Sequence, residues 1–140
     1  MKMKLDWMND FKDPYYQTPF GKGVFLSGIV LGQIARGQVE KGTGIDSSPI
    51  FKQLSFGRLQ KRDLQRHLSR VPELLKAYDI KYSGYLSQLT VKVGEFFIQD
   101  NQEMDVDGNF AFSLSFLNSY DYFWTIFGKD EIGDDSESEK

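Results

Sequence analysis

The chain contains no cysteine, which excludes both a disulfide framework and a thiolate metal site. It has one histidine, His67, so chemistry that needs two imidazoles, or an imidazole beside a thiolate, is unavailable. His67 lies between Arg66 and Leu68 at the edge of an apolar helical face and reads as a packed or partly exposed histidine. No Gly-Lys-Ser/Thr occurs, and Gly21-Lys-Gly-Val-Phe-Leu-Ser-Gly28 is neither a phosphate loop nor a dinucleotide fingerprint. Glu103-x-Asp105-x-Asp107-Gly108 starts like a calcium loop, but Leu114 stands where the closing glutamate is required. No long hydrophobic run is present either. Val24 to Ala35 falls short of the ~20 residues that a bilayer demands, and Gln33 and Arg36 interrupt its end. Met1-Lys-Met-Lys has no apolar segment behind it, unlike a secretory signal. These absences predict a soluble, cytoplasmic, non-enzymatic protein with no metal, no cofactor and no membrane partner.

What the chain does have is arginine at a strict spacing of four: Arg58, Arg62, Arg66 and Arg70. In a helix of about 3.6 residues per turn each step rotates only ~40°, so all four fall in one sector of roughly 120°. Leu64, Leu68, Val71, Leu75 and Tyr78 follow the 4-3-4-3 spacing of a buried face on the opposite side. The helix is expected to dock by its leucines and to present guanidinium groups outward. A planar guanidinium fork suits phosphate, because it hydrogen-bonds two oxygens at once.

Charge is distributed unevenly. Residues 52–81 carry eight Lys/Arg against three Asp/Glu, whereas residues 82–140 carry three against twelve. The overall charge of −3 therefore says less about partners than the local patch does. Lys52, Lys61, Lys76 and Lys81 flank the arginines, and the predicted nucleic-acid-binding set is Lys52, Arg58, Lys61, Arg62, Arg66, Arg70, Lys76 and Lys81. Tyr78, Tyr82 and Tyr85 interleave with the last two. They serve either core packing or stacking of unpaired bases.

At 140 residues the chain suits one domain with a real core. Residues 1–17 read as an irregular leader, partly extended, whose aromatics pack late or against a partner. Residues 18–128 read as an all-α bundle of four to five helices, and residues 129–140 as a disordered acidic tail. Thr18 and Pro19 mark a helix start, with the helix running to about Glu40. Gly28, Gly32 and Ala35 bare one face of that helix for close approach of another backbone. Pro49 to Phe56 suggests a short helix or turn, and the arginine helix follows from about Gly57. Pro72 predicts a kink or restart near Ser69 to Val71. A further helix is expected over Tyr82 to Met104, then a turn from Asp105 to Asn109. Phe110 to Phe116 alternates like a strand, but Phe112, Phe116, Tyr120, Phe123 and Phe127 hold helical spacing over a longer window, and no second strand is available to pair.

One set of features carries a family resemblance. It comprises Phe25-Leu-Ser-Gly-Ile-Val-Leu-Gly-Gln33, Pro49-Ile-Phe, the basic-leucine helix ending Leu74-Leu-Lys-Ala-Tyr78, and the aromatic-rich Phe116 to Gly128. Over roughly residues 18–128 it resembles the C-terminal helical segment of the large subunit of subtype I-B CRISPR interference complexes (Cascade), which can also be made alone as the small subunit. Methionines at positions 1, 3 and 8 suit such an internal start. The resemblance implies a non-catalytic small subunit, present in several copies, in a crRNA-guided antiviral effector. Its implied partners are crRNA and target DNA, the large subunit, the backbone subunits and further copies of itself. Its implied role is to bind nucleic-acid backbone, on the guide–target duplex or the displaced strand, and so stabilise the R-loop. In guided effectors base pairing reads the sequence, so the protein need only hold backbones. The opposite-signed ends also suit head-to-tail stacking of copies. The twelve Phe, seven Tyr and two Trp exceed what a core of this size readily hides, which makes Trp7 and Phe11 candidates for docking. The alternative is a helical adaptor whose arginine face binds an acidic protein.

Overall fold

In the computed structural model, which describes residues 3–128, the chain is all-α. Its helices are α1 (Pro19–Gly37), α2 (Pro49–Gln53), α3 (Lys61–Ser69), α4 (Val71–Ala77), α5 (Ser83–Gln99), α6 (Val106–Leu117) and α7 (Ser119–Phe127), with three short 3-10 turns. No strand occurs among the described residues. The expected four to five helices become seven because two long segments break. Pro72 lacks the N–H that would continue α3, so α3 stops at Ser69 and α4 restarts at Val71. The aromatic stretch resolves as helix, as its longer period requires, but divides at Asn118 into α6 and α7. The predicted tail, residues 129–140, lies outside the described residues.

α1 is the axis of the fold. Thr18 caps it by accepting the Gly21 N–H at 2.9 Å, with Pro19 in the first turn. Phe20 and every residue from Gly23 to Gly32 are buried, because α5, α6 and α7 pack around the helix. Two of its glycines face α6: a Cβ on Gly28 would meet Ser115 and the Phe112 carbonyl, and one on Gly32 would meet the Phe116 carbonyl. The bare face predicted from Gly28 and Gly32 is thus occupied by another helix backbone. α1 ends three residues earlier than expected, at Gly37.

α5 is also shorter than its predicted span, and the reason is tertiary. Asp100 leaves the helix in an extended conformation, and its carboxylate accepts the Phe20 N–H at 3.1 Å. An acid at the N-terminus of α1 satisfies an orphan donor and complements the helix dipole. The Asp105–Asn109 segment, expected as a turn, instead starts α6: Asp105 is the N-cap, accepting the Gly108 N–H at 2.8 Å, and the helix runs from Val106.

The leader differs most from expectation. Residues 6–10 and 14–17 form 3-10 turns folded onto the bundle. The Lys4 N–H donates to the Ile126 carbonyl at 2.8 Å, and the Gln17 amide donates to the carbonyls of Met8 and Phe11. Met8 is fully buried. Trp7 stacks on Tyr122 with centroids 5.5 Å apart and meets Phe11 and Phe25 edge-on; Phe11 in turn lies tilted against Phe25. Trp7 and Phe11 are therefore core-closing residues of their own chain rather than free docking groups. Among the described aromatics only Phe110 and Tyr78 are exposed; the others are buried or half-buried within the chain itself. Replacing Trp7 by alanine is expected to cost about 2–3 kcal/mol, below the ~3–5 kcal/mol of a fully buried large aromatic because it is half-buried. Urea denaturation checks this, and an unchanged midpoint would mean the leader is not part of the fold.

Candidate nucleic-acid interface

α3 is built as its sequence pattern requires. It buries Leu64, His67 and Leu68 and leaves Arg62 and Arg66 in solvent. Arg70, the residue after the helix, keeps a near-helical backbone (φ −91°, ψ −1°) and so extends the same row. Arg58 does not. Gly57 adopts φ +84°, a left-handed conformation that suits glycine, and Gln60 is extended at the helix N-cap. The Asp63 carboxylate accepts the Gln60 N–H at 3.0 Å and fixes the helix start there. The predicted four-rung helical ladder is therefore three rungs on α3 and its end, with Arg58 supplied by the preceding turn.

That turn is held by a residue the basic pattern gave no reason to single out. Asn109 of α6 is buried; its side chain accepts the Leu59 N–H at 2.7 Å and donates to the Leu59 carbonyl at 3.1 Å. This two-way clamp fixes the backbone beside Arg58 across fifty residues of sequence. A lone asparagine inside an apolar stretch carries no periodic signal, so only the packed structure shows its role.

All four arginines are exposed, as are Lys52 on α2, Lys76 on α4 and Lys81 before α5. Lys61 is half-buried, its ammonium 5.9 Å from the centroid of the Phe20 ring, and is partly withdrawn from the row. Arg66 pairs with Asp63 at 3.4 Å and Arg70 with Glu73 at 3.8 Å, both within one helical turn. Such exposed pairs are worth about 0–1 kcal/mol, so a phosphate can replace either acid at small cost. Arg58, Arg62, Lys52 and Lys76 have no ion pair among the described residues. Burial is the main cause lowering the pKa of His67, helped by Arg66 and Arg70 and opposed by Asp63. At neutral pH it is an uncharged member of this face.

The three tyrosines separate. Tyr82 and Tyr85 pack among Phe123, Trp124 and Phe127, which is the core role. Tyr78 is 40 % exposed and stays at the surface near Arg70. The calcium-like acids are spent on helix capping at Asp105, and no cluster of three acids or histidines able to hold a metal occurs among the described residues. No helix among them is long and apolar enough to cross a membrane.

A family model for the C-terminal domain of the CRISPR-associated protein TM1802 matches residues 2–129. No curated protein and no solved structure matches the chain.

Proposed function

The chain belongs to the family of the C-terminal domain of CRISPR-associated protein TM1802, a family of CRISPR-Cas defence, and from that premise we propose that it is a non-catalytic small subunit of a crRNA-guided interference complex of subtype I-B. In this reading the arginine row of α3 holds nucleic-acid backbone, on the guide–target duplex or the displaced strand, and stabilises the R-loop. The carrying observation is that Arg62, Arg66 and Arg70 face solvent in one row while Leu64 and Leu68 dock the same helix. Arg58 adds a fourth cation through a turn locked by Asn109. Such a surface binds phosphates without choosing bases, which is sufficient where guide pairing reads the sequence. The lone histidine and the absence of cysteine fit a subunit that leaves cleavage to other components.

Subunit contacts need apolar surface, and the exposed apolar residues are not those of the leader. Val106, Phe110 and Leu117 are exposed on the side of α6 that points away from α1. Native mass spectrometry of the complex purified through a tag on this chain tests the assembly. The expected result is several copies together with guide RNA, backbone subunits and the large subunit. Recovery of a single copy without RNA would overturn it and leave the adaptor reading, an arginine face against an acidic protein, as the better account.

A further inference from the structure

Behind the arginine row a small cavity of about 70 Å³ opens between the end of α1, α2 and the α3–α4 junction. Gln38, Gln53, His67, Arg70 and Tyr78 supply its polar lining. We infer that this cavity is a seat for one phosphate group, with the Arg70 guanidinium and the His67 imidazole as its principal ligands and the amides of Gln38 and Gln53 completing it. The inference rests on the proposed nucleic-acid role and names where on that face a backbone phosphate enters the protein surface.

Several observations carry it. His67 is only 5 % exposed, yet its ring makes no hydrogen bond to any described residue. The ring borders the cavity, so a group entering there can reach its nitrogens. Gln53 and Tyr78, both exposed at the cavity mouth, have no side-chain partner among the described residues and are open to a ligand. The Gln38 oxygen is occupied by the Ile50 N–H at 2.9 Å, which leaves its NH₂, a donor only, for other contacts. No carboxylate borders the cavity, and Glu73 reaches Arg70 only loosely at 3.8 Å. The lining therefore offers one cation, Arg70, with neutral donors around it and no carboxylate to repel an anion. Arg70 supplies the planar fork that pairs two phosphate oxygens.

Because the chain has one histidine, its imidazole reports on this cavity without interference in a proton–carbon NMR spectrum. The charged or titratable groups around it are Asp63, Arg66 and Arg70 from α3 and its end, Glu73 of α4 beyond Arg70, and Tyr78 following α4, with uncharged Gln38 and Gln53 from the α1–α2 side. An arriving phosphate offsets the two arginines and favours the protonated ring. The full chain is titrated in separate arms with inorganic phosphate and with a short single-stranded RNA. Saturable movement of the His67 resonances, with its titration midpoint shifted upward, is expected in the phosphate arm. The same movement with RNA assigns the seat to backbone phosphodiesters, and movement with inorganic phosphate alone assigns it to a free phosphate. Arg70→Gln should weaken the apparent affinity at least about tenfold, as loss of a charge-assisted hydrogen bond implies. Resonances that stay put in both arms, or that saturate equally in Arg70→Gln, overturn the inference. The failures are distinguishable: RNA bound through Arg62 and Arg66 while His67 stays silent removes the seat and leaves the proposed function standing.

Discussion

Gly32→Val is expected to remove most of the fold's stability. The first added carbon would lie 2.5 Å from the Phe116 carbonyl oxygen and 2.6 Å from the Ser119 side chain. A backbone carbonyl inside α6 cannot move away without shifting that helix off α1. Overpacking of this kind costs about 1–3 kcal/mol where side chains can yield and more where backbone is struck. We therefore expect a loss of at least ~3 kcal/mol, a large share of the roughly 5–15 kcal/mol of an ordinary domain. Gly28 faces the same helix, against Ser115 and the Phe112 carbonyl, and should behave alike. Gly94 provides the contrast. It lies inside α5, and a Cβ added there would meet nothing within 4 Å, so Gly94→Ala should stabilise by about 0.5–1 kcal/mol through helix propensity. Urea and thermal unfolding of the two variants measure both effects. If Gly32→Val were as stable as the parent, the close approach of α1 to α6 would be wrong.

The second large effect concerns binding. In the assembled complex, Arg62→Glu combined with Arg66→Glu should lower nucleic-acid affinity by at least about 100-fold at low salt, since each charge-assisted hydrogen bond is worth roughly 1.5–3 kcal/mol. The slope of log affinity against log salt should flatten by just under one for each phosphate no longer held, or almost two in the double variant. Helicity should be unchanged, because both side chains face solvent and the docking of α3 rests on Leu64, His67 and Leu68. The Arg62→Lys and Arg66→Lys pair keeps charge but loses the fork. It should therefore retain the salt slope and lose part of the affinity. Unchanged affinity and slope in the glutamate variant, with native circular dichroism, would show that this row does not meet nucleic acid.

The two effects act on opposite sides of the same design. Gly28 and Gly32 of α1 let α6 approach closely and bring Asn109 to Leu59, and that clamp sets the turn bearing Arg58. The arginines need no such precision among themselves, because a phosphate backbone is repetitive and tolerant of register. Substitutions at the glycine face should consequently destroy folding and binding together, whereas substitutions in the arginine row should affect binding alone.

Some of this was determined by the sequence alone. The all-α class, the Thr18–Pro19 helix start, the break at Pro72, the bare face of Gly28 and Gly32 and the opposition of Arg62 and Arg66 to Leu64 and Leu68 are all encoded within a few residues. Helical periodicity and capping act over three or four positions, so a local reading captures them. Tertiary structure decided what depends on distant partners. α5 ends where Asp100 turns to cap α1, eighty residues away in sequence. Arg58 leaves the helix because Gly57 turns the chain and Asn109 receives it. Trp7 and Phe11 enter the core because Phe25 and Tyr122 offer ring faces that no local pattern announces. The cavity beside His67 exists only because α2 and the end of α1 close over the α3–α4 junction. Amphipathic spacing states which side of a helix is apolar, but the identity of the group that covers it is settled only when segments far apart in the chain are packed together.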